Sequence, residues 1–140
     1  MPQRRPSGIL RGMAAHARRI LVGFDGSESA QRALDIAAHL TGYGSILSVV
    51  SVARDGEGTQ DLLTQAHDRL LAQHVTATYV HRVGEPGDEL VETARELDAD
   101  LVIVGRCGAQ ARRHPVPVPG SVSAKVVRSA PCDVLVVRSG

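Results

Sequence analysis

Aromatic side chains are almost absent from this chain, whose 140 residues include one Phe, two Tyr and no Trp. A core must therefore be assembled from Val, Leu, Ile and Ala, and the stacking platforms on which single-stranded nucleic acid is laid out are missing. Cysteine is nearly as scarce. Cys107 and Cys132 form no Cys-x-x-Cys pair and no disulfide framework, which fits a reducing compartment, the cytoplasm. No apolar run approaches the roughly 20 residues needed to cross a bilayer, so the expectation is a soluble protein without a membrane partner. The six histidines, His16, His39, His67, His74, His81 and His114, make no His-Glu-x-x-His or Cys-paired set, and no zinc centre is expected. Also missing are a Gly-x4-Gly-Lys-Ser/Thr loop, a Gly-x-Ser-x-Gly elbow and any set of nucleophile, base and orienting group. Rapid catalysis is not expected.

What is present describes one ordinary globular domain, with 43% apolar and 22% charged residues. A chain of this length forms one core and buries about 68–70% of its unfolded surface. The net charge of +1 hides an uneven distribution. Arg4, Arg5, Arg11, Arg18 and Arg19 precede the first acid, which leaves 11 of the 16 basic residues against all 15 acids in the remainder, a formal −4. That balance argues against a nucleic-acid-binding surface. Residues 1–18 are read as a flexible Arg-rich N-terminal extension, in keeping with the usual behaviour of termini, and 19–140 as the domain.

Within 19–140, apolar runs alternate with segments of helical period, the signature of βαβ units around a parallel sheet. Strands are expected at 19–24, 45–52, 76–83, 100–105 and 133–137. Between the first two, Ser27 is a good N-cap, Ala30, Ala33, Leu34, Ala37, Ala38 and Thr41 mark one face, and Gly42 closes the helix. A second helix is expected over 59–74, with Leu62, Leu63, Ala66 and Leu70 on its buried stripe. Gly84-Glu-Pro-Gly87 breaks the third strand, and Leu90, Val91, Ala94 and Leu97 mark a third helix. A fourth begins near Ser121, with Val122, Val126, Val127 and Ala130 on one side. Five mainly parallel strands and four helices define a doubly wound, Rossmann-like α/β domain.

In such sheets ligands bind outside the carboxyl ends of the strands, where strand order reverses. That rule gathers Asp25-Gly26-Ser27, Val52-Ala53 and Gly105-Arg-Cys-Gly108, with Gly120-Ser121 opposite them at a helix start. Helix N-termini favour anions, and glycine lets backbone approach a phosphate closely. Each residue also has a structural reading: Asp25 could stabilise the following helix start, Gly105 and Gly108 could shape turns, and Gly120-Ser121 could be a simple cap. Arg106, Arg112 and Arg113 are either phosphate partners or a solvated face. Cys107 lies between the two glycines, and Cys132 reads as a small apolar group.

The segments Ile20-Leu-Val-Gly-Phe-Asp-Gly-Ser27, Asp98-Ala-Asp-Leu-Val-Ile-Val-Gly105 and Gly120-Ser-Val-Ser-Ala-Lys-Val-Val-Arg-Ser-Ala-Pro-Cys-Asp-Val-Leu-Val-Val137 resemble the corresponding stretches of universal stress proteins, in unbroken order over 19–138. The nucleotide-binding branch of that family carries the pattern Gly-x2-Gly-x9-Gly-Ser/Thr. The resemblance implies that Asp25 and the backbone at Val52 address adenine, that Gly105, Arg106 and Gly108 line the ribose and phosphates, and that Gly120, Ser121 and the amide of Val122 hold the phosphate end. It implies ATP as the ligand, with Mg2+ as a possible companion, and a homodimer formed through the last strand. This sequence departs from the pattern at 109–119, two residues longer and including three prolines. Three functions follow: an ATP-binding regulatory protein of the stress response, a nucleotide-free interaction protein in which the longer loop closes the site, or a slow ATPase or phosphotransferase with at most weak hydrolysis.

Overall fold

Each apolar run becomes a strand and each amphipathic segment a helix. In a computed structural model the described residues are 18–42, 44–106 and 121–139. They form β1 (Arg19–Gly23), α1 (Glu28–Leu40), β2 (Ile46–Ala53), α2 (Thr59–Leu71), β3 (Thr78–Val83), α3 (Pro86–Glu96), β4 (Leu101–Gly105), α4 (Ser121–Ser129) and β5 (Asp133–Val137). All four strand pairings are parallel, in the order β3-β2-β1-β4-β5. Helices cover both faces, so the central strand has no polar side. Ile20, Leu21 and Val22 are at most 2% exposed.

Successive side chains of a strand point to opposite faces, and the core divides accordingly. One half packs Ile20, Val22 and Phe24 of the β1 region against Leu34 of α1 and Leu70 of α2. The other packs Leu21, Val50 and Val102 against Leu90 of α3 and Val126 of α4. A clasp on the first face joins α1 to α2: Arg69 donates through Nε and Nη2 to the two carboxylate oxygens of Asp35, each at 2.8 Å. The hydrogen bonds from Arg69 hold the Asp35 carboxyl below the usual carboxylate range despite its partial burial.

Beyond single-residue shifts at the ends of β1, β2 and β4, element boundaries depart from expectation at three places. α1 ends at Leu40 with an extended Thr41, whose N–H and hydroxyl both donate to the carbonyl of Ala37, at 2.9 and 2.7 Å. Thr41, rather than a left-handed Gly42, closes the helix. α2 stops at Leu71 rather than at 74, because His74 turns to φ +60 and the Val75 N–H returns to the Leu70 carbonyl. β3 consequently starts at Thr78, two residues after the β-branched run begins. On α4 Val126 is buried but Val127 is 58% exposed, since adjacent residues on a helix lie about 100° apart.

Candidate functional site

The chain moves from β1 to β2 and β3 on one side, then crosses to place β4 and β5 on the other. The helix that follows β1 packs on one face of the sheet and the helix that precedes β5 on the other, so strand order reverses between β1 and β4, the point at which folds of this kind form a crevice outside the carboxyl edge.

The β1–α1 turn is built by its own side chains. Gly26 adopts φ +82, where a side chain would be strained and its Cβ would come 2.9 Å from Leu62 Cδ2. The Ser27 N–H donates to Asp25 Oδ1 at 2.9 Å, and Ser27 Oγ accepts the Ala30 N–H at 3.2 Å as the N-cap of α1. Asp25 thus supports the helix start while its side chain stays at the exposed edge.

β2 is stitched to this turn by Ser51, whose hydroxyl donates to the Phe24 carbonyl at 2.7 Å. Beyond it, the Ala53 carbonyl accepts N–H groups from Gly56 and Gly84, so the loops after β2 and β3 are held together next to Val52. Val52 is half-buried and packs on the α3/α4 side.

Gly105 ends β4 against the start of α1. A Cβ there would collide with Ser29 Oγ and stand 2.9 Å from the backbone nitrogen of Ala30. Absence of a side chain at 105 therefore has a packing cause. The Arg106 N–H donates to the Val137 carbonyl at 2.7 Å, its carbonyl accepts from the Ser123 hydroxyl at 3.2 Å, and the residue is exposed. The Ser123 bond ties α4 to the end of β4, so the helix begins at the crevice with Ser121 and a half-buried Val122. Asp25, Val52, Gly105, Arg106, Ser121 and Val122 are thus arrayed along one edge of the sheet. Gly108 and Gly120 lie outside the described residues, as do Cys107, Arg112, Arg113 and the proline tract.

A second group on this edge was not expected from the sequence. Glu85 caps α3, accepting the N–H groups of Asp88 at 2.9 Å and Gly87 at 3.2 Å. Its carboxylate also meets Lys125 Nζ of α4 at 3.3 Å and Arg54 Nη2 at 3.7 Å, and Lys125 contacts Asp88 at 2.8 Å. Burial pushes the Glu85 carboxyl up, but the two backbone donors and Lys125 outweigh it and leave it below its ordinary value. Lys125 is raised, by Asp88 first and Glu85 second. Pro86 at the first helical position was the available signal: it marks a helix start as readily as a strand break.

Among the described residues no three His, Cys, Asp or Glu side chains are grouped to hold a metal ion, and no helix is long and apolar enough to cross a membrane.

The sequence model of the Universal stress protein family matches residues 16–66 and 48–138. This chain belongs to the universal stress protein family. Universal stress protein Rv1636 of Mycobacterium tuberculosis is 34% identical, over 87% of this chain and 97% of that one. Among solved structures, a universal stress protein in complex with cAMP superposes with a TM-score of 0.70 at 32% identity, covering 89% of this chain and 99% of that one. The universal stress protein of Archaeoglobus fulgidus in complex with dAMP gives 0.63 at 25% identity, covering 87% and 98%. Membership accounts for the parallel five-stranded sheet and for the order in which the three sequence segments occur.

Proposed function

We propose that this universal stress protein binds an adenine nucleotide, ATP, in the crevice between β1 and β4, and that occupancy regulates which surface its partners meet in the stress response. Asp25 and the backbone at Val52 address the base, Gly105, Arg106 and Gly108 face the sugar and phosphates, and Gly120, Ser121 and the Val122 amide receive the terminal phosphates. The observation that carries the reading is the alignment of the described members of this set along one sheet edge, in a family whose relatives at 32% and 25% identity are complexed with cAMP and dAMP. A helix start facing the crevice is suited to an anion. The protein acts in the cytoplasm, binds rather than turns over its ligand, and pairs as a homodimer through β5, which among the described residues is an edge strand paired with β4 alone.

Titration calorimetry with ATP, ADP, AMP and cAMP tests this. ATP should bind in the micromolar range, roughly −8 kcal/mol, and Asp25→Ala should weaken ATP at least tenfold while leaving inorganic tripolyphosphate little changed. Absence of binding by any of the four at millimolar ligand would sink the proposal. A second reading, a nucleotide-free interaction protein, is favoured by one observation: Gly105 already has a packing cause in Ser29 and Ala30. Mass spectrometry of protein purified without added nucleotide separates the two.

A further inference from the structure

Among the described residues, the Glu85 carboxylate joins two elements that flank the proposed site. On one side Arg54 follows Val52 by two residues in the loop leaving β2, and its guanidinium lies 3.7 Å from Glu85 Oε2. On the other Lys125, one turn beyond Ser121 on α4, lies 3.3 Å from Glu85 Oε1 and 2.8 Å from Asp88 Oδ1. The same carboxylate caps α3, so it is fixed by backbone donors rather than free to rotate. Close packing adds to the link, because a Cβ on Gly87 would come 2.8 Å from Lys125 Cδ. We infer that Glu85 and Lys125 are positioning residues that set the spacing between the base-binding and phosphate-binding walls. This deepens, and rests on, the nucleotide reading.

A ligand that spans both walls gains from having them held at the correct separation, since a preorganised site loses less on binding. A ligand that touches one wall gains nothing from that spacing. Breaking the link must therefore weaken ATP selectively, and spare adenosine and tripolyphosphate, each of which reports on one wall. Isolated exposed ion pairs contribute little, but networks with fixed geometry contribute more; Glu85 and Lys125 are each about one-third exposed, and Arg54, 74% exposed, is the looser arm.

The experiment is calorimetric titration of the full chain and of Lys125→Met, Lys125→Arg and Glu85→Gln with ATP, adenosine and tripolyphosphate, alongside thermal melts. Lys125→Met and Glu85→Gln should each lose about fivefold in ATP affinity, with adenosine and tripolyphosphate within twofold of wild type. Lys125→Arg should recover ATP binding. Glu85→Gln also disturbs the α3 cap, whereas Lys125→Met leaves it intact and keeps the comparison clean. A role in folding alone would weaken all three ligands together, and that result, or unchanged ATP affinity in folded Lys125→Met, overturns the inference. If wild type binds none of the three, the nucleotide reading fails first and carries this inference with it, a result distinct from equal binding by wild type and variants.

Discussion

Replacing Gly105 by Ala separates a packing glycine from a ligand-binding one. The added methyl would collide with Ser29 Oγ and sit 2.9 Å from both Ser29 Cβ and the Ala30 nitrogen. Ser29 Oγ can rotate, but the nitrogen belongs to the first turn of α1 and moves only with the helix. Overpacking of this kind costs about 1–3 kcal/mol. Against it, replacing glycine restricts the unfolded chain and returns about 0.4–1 kcal/mol. A net loss of about 1–2 kcal/mol follows, or roughly 4–8 °C for a domain of this size. Urea unfolding followed by circular dichroism, on protein stripped of nucleotide, measures it. Ser29→Ala in the same background should recover part of the loss, with a coupling of about 0.5 kcal/mol or more, because the hydroxyl contact is removed while the backbone contact remains. A nucleotide-free Gly105→Ala protein as stable as wild type would refute the packing explanation and return this glycine to the ligand alone.

The Asp35–Arg69 clasp makes stability depend on pH. Because its folded pKa lies below the ordinary value near 3.8, its contribution is complete above that value and disappears as pH falls through the lower folded value. With both side chains more than one-third exposed, solvent screening limits it to about 1 kcal/mol or less. Asp35→Asn should therefore be less stable than wild type at pH 7 and indistinguishable in strong acid, and a gap of constant size across that range would contradict the assignment. For the proposed dimer, Leu135 at the β5 edge is 37% exposed, so Leu135→Asp should shift sedimentation toward the monomer with the dichroism spectrum unchanged. A wild-type monomer at micromolar concentration would refute dimerisation. The domain is proposed to begin at Arg19, so removing residues 1–17 should leave the melting midpoint within a few degrees; a larger fall would mean that the segment contributes to the fold.

Periodicity alone placed every strand and helix of the described chain, because burial on both faces of a parallel sheet leaves runs such as 101–104 with no polar residue. It also set Asp25, Val52 and Gly105 together at one edge of the sheet, since the carboxyl ends of parallel strands all lie together. The ends of elements were less legible. Thr41 closes its helix through a bond to Ala37, four residues earlier, and the turn at His74 is closed by bonds from His74 to Leu71 and from Val75 to Leu70; residue type alone does not choose between such closures and a nearby glycine.

Contacts between distant segments were decided by the tertiary structure. Gly105 and Ser29 are 76 positions apart and meet only because β4 is laid beside β1 and α1 packs across both. Glu85 reads in the sequence as part of a break before a helix; its partner Arg54 arrives from the connection after β2 and its partner Lys125 from α4. Hydrophobic pattern specifies which face of an element is buried. It is blind to which polar side chains the folded chain brings within 4 Å of one another, because that depends on strand order and on how closely two helices approach.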